Sequence, residues 1–299
     1  MNRAELCNPQ CLATFCVNRS VRDRVKADIT EVQAVNPSFK PNLTLIQVGD
    51  RSDSSSYIRL KEKACIEAGI EFALKKFPDT VSQQEVLELI SALNEDTSVP
   101  GILVQLPLPE HINESTIIAA VHPTKDVDGL HPVNVGKLVM RGEAPLIQPC
   151  TPKGIMELIR STGIDPSGKQ AVVVGRGDLV GAPTSLLLTS ANATVTLCHT
   201  KTTNLVDHIK RADILVVAIG QPNFIQGDCI KPGAVVIDVG MNYVPDSTKK
   251  SGYKITGDVD YAAASQVAGH ITPVPGGVGP MTVAMLMDNI VLSAKEMMD

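Results

Sequence analysis

Tyr57 and Lys61 stand four residues apart, and Ala64 and Ala68 continue the same helical face. A lysine on a face of small apolar residues loses water when that face packs. Desolvation lowers its pKa and leaves a neutral amine able to act as a base. The plainer alternative is a solvated lysine, the state expected for the neighbours Arg59, Glu62 and Lys63. Ser54-Ser55-Ser56 offers capping residues before this helix, and Gly69 offers its stop. Gln105 ends a strand and enters Leu106-Pro107-Leu108-Pro109, and Lys125-Asp126-Val127-Asp128-Gly129-Leu130 reads as a charged turn. Either Asp126 or Asp128 has the chemistry to accept hydrogen bonds from N–H groups of a ligand; shaping the turn is the other reading of both.

A second chemistry, phosphate binding, is written in glycines. Gly175-Arg176-Gly177-Asp178-Leu179-Val180-Gly181 follows a β-branched run at 171–174 and opens a helix that includes 186–188. Such glycines let the backbone approach a diphosphate, and the helix N-terminus adds N–H donors and the positive end of its dipole. The spacing is G-x-G-x-x-x-G, so an ordinary tight turn is the alternative. Two further loops, Ala218-Ile219-Gly220 and Asp238-Val239-Gly240, close the strands at 214–218 and 235–239, at the carboxyl ends where open α/β sheets bind ligands. An NAD site usually carries an acid about 20 residues past the glycine loop, for the ribose 2′-hydroxyl. Here that place holds His199-Thr200-Lys201-Thr202, donors without a carboxylate, and Arg176 brings a guanidinium suited to a phosphate. The expectation is NADP rather than NAD. Pro273-Val274-Pro275-Gly276-Gly277-Val278-Gly279-Pro280 has too many breakers for regular structure and reads as a shaped loop or a linker.

These residues need a frame. From residue 43 onward, short apolar runs alternate with amphipathic stretches, the pattern of parallel strands joined by crossover helices. Residues 43–48 and 101–105 read as strands. Between them Ser82 and Glu85 form a capping box ahead of Val86, Leu89, Ile90 and Leu93. Thr151-Pro152 reads as an N-cap and first helical position, with Ile155, Leu158 and Ile159 on one face and Gly163 as the stop. Runs at 171–174, 194–198, 214–218 and 235–239 start roughly 20 residues apart, leaving room for one helix between each pair, as in a doubly wound sheet. Val283, Leu286, Met287, Ile290, Val291 and Ala294 form a helical stripe that would pack back on the first domain. The expected fold is α/β: a catalytic domain over 1–150 completed by a C-terminal helix at 281–299, and a Rossmann-like domain over 151–280.

Composition narrows the partners. The chain has 299 residues, 43% apolar and 20% charged, with a net charge of −5, the balance of a globular protein without a field for nucleic acid or anionic membrane. Its seven cysteines are scattered with no C-x-x-C pair, and Cys7, Cys11 and Cys16 have no histidine beside them, so free thiols and no metal are expected. No apolar run approaches the roughly 18 residues of a membrane span. The first 25 residues lack a secretory core, and Glu5 and Asp23 argue against a mitochondrial leader, so the cytosol is the expected compartment.

Five segments occur in a specific order: residues 57–61, 101–109, 125–129, Pro149-Cys150-Thr151-Pro152-Lys153-Gly154, and 273–282. Together they resemble the bifunctional methylenetetrahydrofolate dehydrogenase/methenyltetrahydrofolate cyclohydrolase family, most closely its eukaryotic members. The resemblance implies oxidation of 5,10-methylenetetrahydrofolate with NADP, hydrolysis of the methenyl product to 10-formyltetrahydrofolate, and a homodimer. It implies that Lys61 is the catalytic lysine, Tyr57 the ring against the folate, Gln105 the partner that orients the lysine and Asp128 the carboxylate on the pterin. Pro275, Gly276 and Gly277 would line the substrate; Gly175, Arg176, Gly177, His199, Thr200, Ala218, Gly220, Gly240 and Thr282 would line the cofactor. Two departures stand out: residues 1–20 lack the family's Asp-Gly-Lys segment, and Gly177 stands where relatives commonly carry serine. A member without the hydrolase step, and a non-catalytic dinucleotide sensor, are the competing readings; the second would have lost Tyr57, Lys61, Gln105 and Asp128.

Overall fold

The computed structural model describes residues 12–140, 142–249 and 252–298; the expectations for Cys7 and Cys11 lie outside the described residues. The other five cysteines are free thiols. The chain forms two compact units, one built on 20–150 with the chain from Val283 onward, the other on Thr151–Thr282 with the described residues up to Arg19. The 12–19 segment joins the second unit, where the Leu12 N–H donates to the Ile271 carbonyl at 2.9 Å.

In the first unit the elements run α1 (Thr14–Val35, of which the part from Ser20 on lies in this unit), β1 (Asn42–Val48), α2 (Ser52–Ala68), β2 (Glu71–Phe77), α3 (Gln83–Glu95), β3 (Gly101–Val104), α4 (Glu114–Ala120) and α5 (Pro132–Lys137). The sheet is parallel, in the order β2-β1-β3. Central β1 is buried nearly throughout, as a parallel strand covered on both faces must be. Its Ile46 joins Ile90 of α3 and Ile102 of β3 in one cluster. The capping box at Ser82 and Glu85 is present in full. The start of α2 corrects the expectation of a serine cap. Arg51 occupies the N-cap, and Ser54, Ser55 and Ser56 sit inside the first turns.

The second unit carries α6 (Cys150–Ser161), β4 (Gln170–Val174), α7 (Gly181–Ser190), β5 (Thr194–Cys198), α8 (Leu205–Ile209), β6 (Ile214–Val217), β7 (Val235–Asp238), β8 (Asn242–Pro245), β9 (Tyr253–Thr256), α9 (Tyr261–Ala264), β10 (His270–Ile271) and the start of α10 (Val278–Glu296). Five parallel strands lie in the order β10-β7-β6-β4-β5. The chain winds one way from β4 to β5 and the other way to β6, β7 and β10, which creates a switch point between the ends of β4 and β6. Two expectations need correction. Helix α6 begins at Cys150, so Thr151 lies within its first turn, and the connection from β6 to β7 holds a single 3-10 turn, Gly227–Cys229, where a helix was expected.

Helix α10 begins inside the Pro273 to Pro280 segment, and from Val283 on it belongs to the first unit. Its stripe Val283, Leu286, Met287, Ile290, Val291 and Ala294 is buried. Asn289 is wholly buried and donates to the carbonyls of Val127 at 2.9 Å and Gln148 at 2.8 Å. Ser293 donates to the Pro100 carbonyl at 2.6 Å. An unmet buried amide costs about 1–3 kcal/mol, so these bonds fix the register of the helix on the strands and loops that carry the site.

Candidate active site

Lys61 lies in the middle of α2, facing inward with Ala64 and Ala68, while Arg59, Glu62 and Lys63 face water. It is only 5% exposed. The desolvated reading therefore holds over the solvated one. The amine donates to Gln105 Oε1 at 3.0 Å and lies 5.4 Å from the centre of the Tyr57 ring. Burial pushes the Lys61 pKa below the ordinary lysine value, and the negative charge of Asp128 is the chief force opposing the shift. Gln105 follows β3; its backbone N–H donates to Ile46 of β1 and its side-chain N–H to the Leu106 carbonyl, so its oxygen is held for the lysine. Tyr57, Lys61 and Gln105 thus come together as the sequence reading anticipates.

The two acids of the charged turn separate. Asp126 is 5% exposed and accepts from the backbone N–H groups of Gly129 at 3.2 Å and His131 at 2.7 Å and from Asn134 at 3.1 Å. Its pKa is pushed up to about 6, mainly by burial. Asp126 is the brace of the turn. Asp128 is half-buried and close enough to Lys61 to act on its charge. Gln47 was not anticipated. Buried at the end of β1, it donates to Ser55 Oγ at 3.3 Å and ties that strand to the first turns of α2.

In the second unit the glycine loop sits at the switch point. Gly175 has φ +112°; a Cβ there would run into the Ala218 carbonyl, and one at Gly181 would run into the Gly175 carbonyl. Both positions demand glycine because three backbone segments meet. Gly177 is exposed and has open space around it, so a side chain fits there. Among the described residues, the N–H groups of Arg176, Gly177 and Asp178 have no acceptor within the chain, and Arg176 is exposed without an ion pair. That is a donor-rich cradle for an anion. Gly175 N–H donates to the Cys198 carbonyl at 2.9 Å, which sets the end of β5 beside this loop. Beyond it, the His199 N–H donates to Thr202 Oγ1 at 2.9 Å and closes a turn that leaves Thr200 and Lys201 exposed.

Other expected cofactor residues have occupations of their own. The Ile219, Gly220 and Gln221 N–H groups all donate to the buried carboxylate of Asp258. Gly240 donates to Asp238 at 2.9 Å. The Thr282 hydroxyl lies 2.9 Å from that of Thr151. Pro275 and Gly276 are exposed, and Thr14 Oγ1 fixes the loop by donating to the Gly276 carbonyl at 2.9 Å. Gly277 is packed so closely that a Cβ would sit 2.5 Å from the Pro273 carbonyl. The sequence reading passed over Asp238 and Asp258 as site residues, although both stand beside glycines, in Asp238-Val239-Gly240 and Gly257-Asp258-Val259. Among the described residues, no cluster of His, Cys, Asp or Glu is placed to hold a metal ion, and no helix is long and apolar enough to cross a membrane.

Residues 15–128 match the model of the tetrahydrofolate dehydrogenase/cyclohydrolase catalytic domain, and residues 149–298 that of the NAD(P)-binding domain of the same enzymes. The chain is 52% identical to the cytoplasmic C-1-tetrahydrofolate synthase of Schizosaccharomyces pombe over 92% of its own length, and spans 30% of that relative. It is 54% identical to bifunctional protein FolD 2 of Arabidopsis thaliana, covering 85% of each. The solved methylenetetrahydrofolate dehydrogenase-cyclohydrolase of Trypanosoma brucei, in complex with NADP and an inhibitor, superposes with a TM-score of 0.91 at 40% identity, over 96% of this chain and 97% of that one. Matched models over both units, and a 54% identical relative of which the chain covers 85%, place the chain in the tetrahydrofolate dehydrogenase/cyclohydrolase family.

Proposed function

We propose that this chain oxidises 5,10-methylenetetrahydrofolate to the methenyl form with NADP and hydrolyses that product to 10-formyltetrahydrofolate. The observation that carries the reading is the buried amine of Lys61, held by Gln105 beside the Tyr57 ring. Tyr57 supplies an aromatic face for the folate, and Asp128 a carboxylate for the N–H groups of its pterin. Hydride departure from the methylene carbon is driven by the adjacent nitrogen lone pair, so the oxidation asks mainly for alignment. Hydrolysis asks for more. Water must attack the methenyl carbon and lose a proton, and a lysine whose pKa has been lowered by burial is a base for that step. Gln105 fixes where the amine stands.

The unit from Thr151 to Thr282 is proposed to bind NADP, which supplies the hydride acceptor. Its diphosphate fits the free N–H groups after β4, and its 2′-phosphate fits Arg176 with the turn at His199 and Thr200. The lack of a carboxylate after β5 supports NADP over NAD. Pro275, Gly276 and Gly277 are proposed to line the folate, and Gly177, Ala218, Gly220, Gly240 and Thr282 the dinucleotide. A cytoplasmic homodimer is the proposed setting; the relatives include cytoplasmic, mitochondrial and chloroplastic forms. The test is to supply methylenetetrahydrofolate with NADP or NAD and follow methenyl and 10-formyl products separately. Both products, with higher kcat/KM for NADP, are expected. A methenyl product that is never hydrolysed would leave a dehydrogenase alone, and no turnover with either dinucleotide would leave a sensor.

A further inference from the structure

The loop after β6 is held by one carboxylate from the far end of the unit. Asp258 follows β9, is completely buried, and accepts from Ile219 N–H at 2.7 Å, Gly220 N–H at 3.0 Å, Gln221 N–H at 2.9 Å and Asn242 Nδ2 at 2.8 Å. Asp258 is itself held. Its N–H donates to Asp238 Oδ1 at 2.9 Å, the Val259 N–H to Asp238 Oδ2 at 2.9 Å, and Asp238 also takes the Gly240 N–H at 2.9 Å. Steric room is matched to this arrangement, since a Cβ on Gly240 would run into Asp258 Oδ1 and one on Gly257 into Asp238 Oδ2. Two carboxylates thus bind the loops after β6 and β7 into one block.

A purely structural brace would be satisfied anywhere, but this one acts at the switch point. Residue 218, which begins the loop that Asp258 holds, sets its carbonyl against Gly175 of the glycine loop, so closely that no side chain fits between. Placing three consecutive N–H groups on one buried carboxylate fixes the path of the chain from Ala218 to Gln221, and with it the wall facing the first phosphate loop. The loops also differ in what they offer. After β4 the donors of Arg176, Gly177 and Asp178 are free for an anion, whereas after β6 they are consumed.

We propose that Asp258 is a positioning residue for the dinucleotide: it shapes the loop after β6 so that the crevice between β4 and β6 fits the cofactor. This rests on the NADP reading of that unit. Asn in its place keeps the size but replaces one accepting oxygen with a donor facing N–H groups, so the loop must move.

The experiment measures Asp258→Asn in two assays: NADP-dependent oxidation of methylenetetrahydrofolate, and hydrolysis of supplied methenyltetrahydrofolate without dinucleotide. The expected result is an NADP KM raised about tenfold or more, with hydrolysis changed by less than about twofold. An unchanged NADP KM, or an equal fall in both activities, overturns the proposal. Where D258N does not fold, Asn242→Ala removes one of the four donors and must raise the NADP KM by about threefold without touching hydrolysis; no change there overturns the proposal as well. Wild-type protein run beside the variants separates the two failures, because a wild type without NADP turnover removes the underlying reading rather than the role of Asp258.

Discussion

The two units prepare for ligands with different atoms. In the first, the groups proposed to work are side chains: an amine, an amide, a phenol ring and a carboxylate, gathered from α2, the end of β3 and the turn after α4. In the second they are backbone N–H groups of a loop whose glycines are forced by carbonyls at their backs, with one guanidinium added. The first site is made by burying a charge and tuning it; the second by leaving donors unmet at the surface and spending the neighbouring donors on Asp258. Substitution of single side chains should therefore silence chemistry in the first unit, and mostly shift affinity or selectivity in the second.

The sharpest form of that contrast is Lys61→Met. Hydrolysis of methenyltetrahydrofolate should fall at least about a hundredfold, the scale of one general base, while calorimetry still shows folate and NADP bound. An intact hydrolase rate would take Lys61 out of the mechanism, and loss of folate binding would recast it as a binding residue. Arg176→Ala should weaken NADP by about 1.5–3 kcal/mol and leave NAD nearly unchanged; equal weakening of both would break the 2′-phosphate assignment. Asp128→Ala should cost a similar or smaller share of folate affinity, at most about 1.5–3 kcal/mol, and unchanged affinity by calorimetry would make it a turn residue like its neighbour.

The gentlest effect involves no ligand. Asp126 has its pKa raised to about 6 by burial, so the folded chain keeps a proton that the unfolded chain has released. The stability it contributes is present below about pH 4 and lost as pH rises through about 6, with a slope of about 1 kcal/mol per pH unit. In denaturant titrations the stability of the wild type relative to Asp126→Asn should fall across that window. A difference that stays flat would return Asp126 to an ordinary carboxylate.

Where hydrophobic pattern governed, the fold was legible. The runs that became β1, β3, β4, β6 and β7 are apolar because those parallel strands are covered on both faces, edge strand β5 showed itself by β-branched residues alone, and the box at Ser82 and Glu85 announced α3 outright. Strand β2, Glu-Phe-Ala-Leu-Lys-Lys-Phe, escaped because it is a largely exposed edge whose lysines look like loop. Helix α1 escaped as well. Its stripe of Val21, Val25 and Ile29 is narrow and set among charges. Of the site, i, i+4 spacing put Tyr57 and Lys61 on one helical face, but the burial of the lysine depended on packing and its role was legible only through the family resemblance. The division of roles between Asp126 and Asp128 depended on which carboxylate the turn folds around, and Asp258 acts on a loop about 40 residues earlier, a partnership no local pattern encodes.

The central claim is that burial holds the Lys61 amine at a pKa below that of the other lysines, and it can be measured directly. A titration of the lysine side-chain resonances by NMR, with Lys61→Met used to identify the signal that disappears, gives the pKa of this one amine. The account predicts a titration well below that of the other lysines. A Lys61 signal that titrates with them, near the unperturbed value of about 10.4, would contradict it.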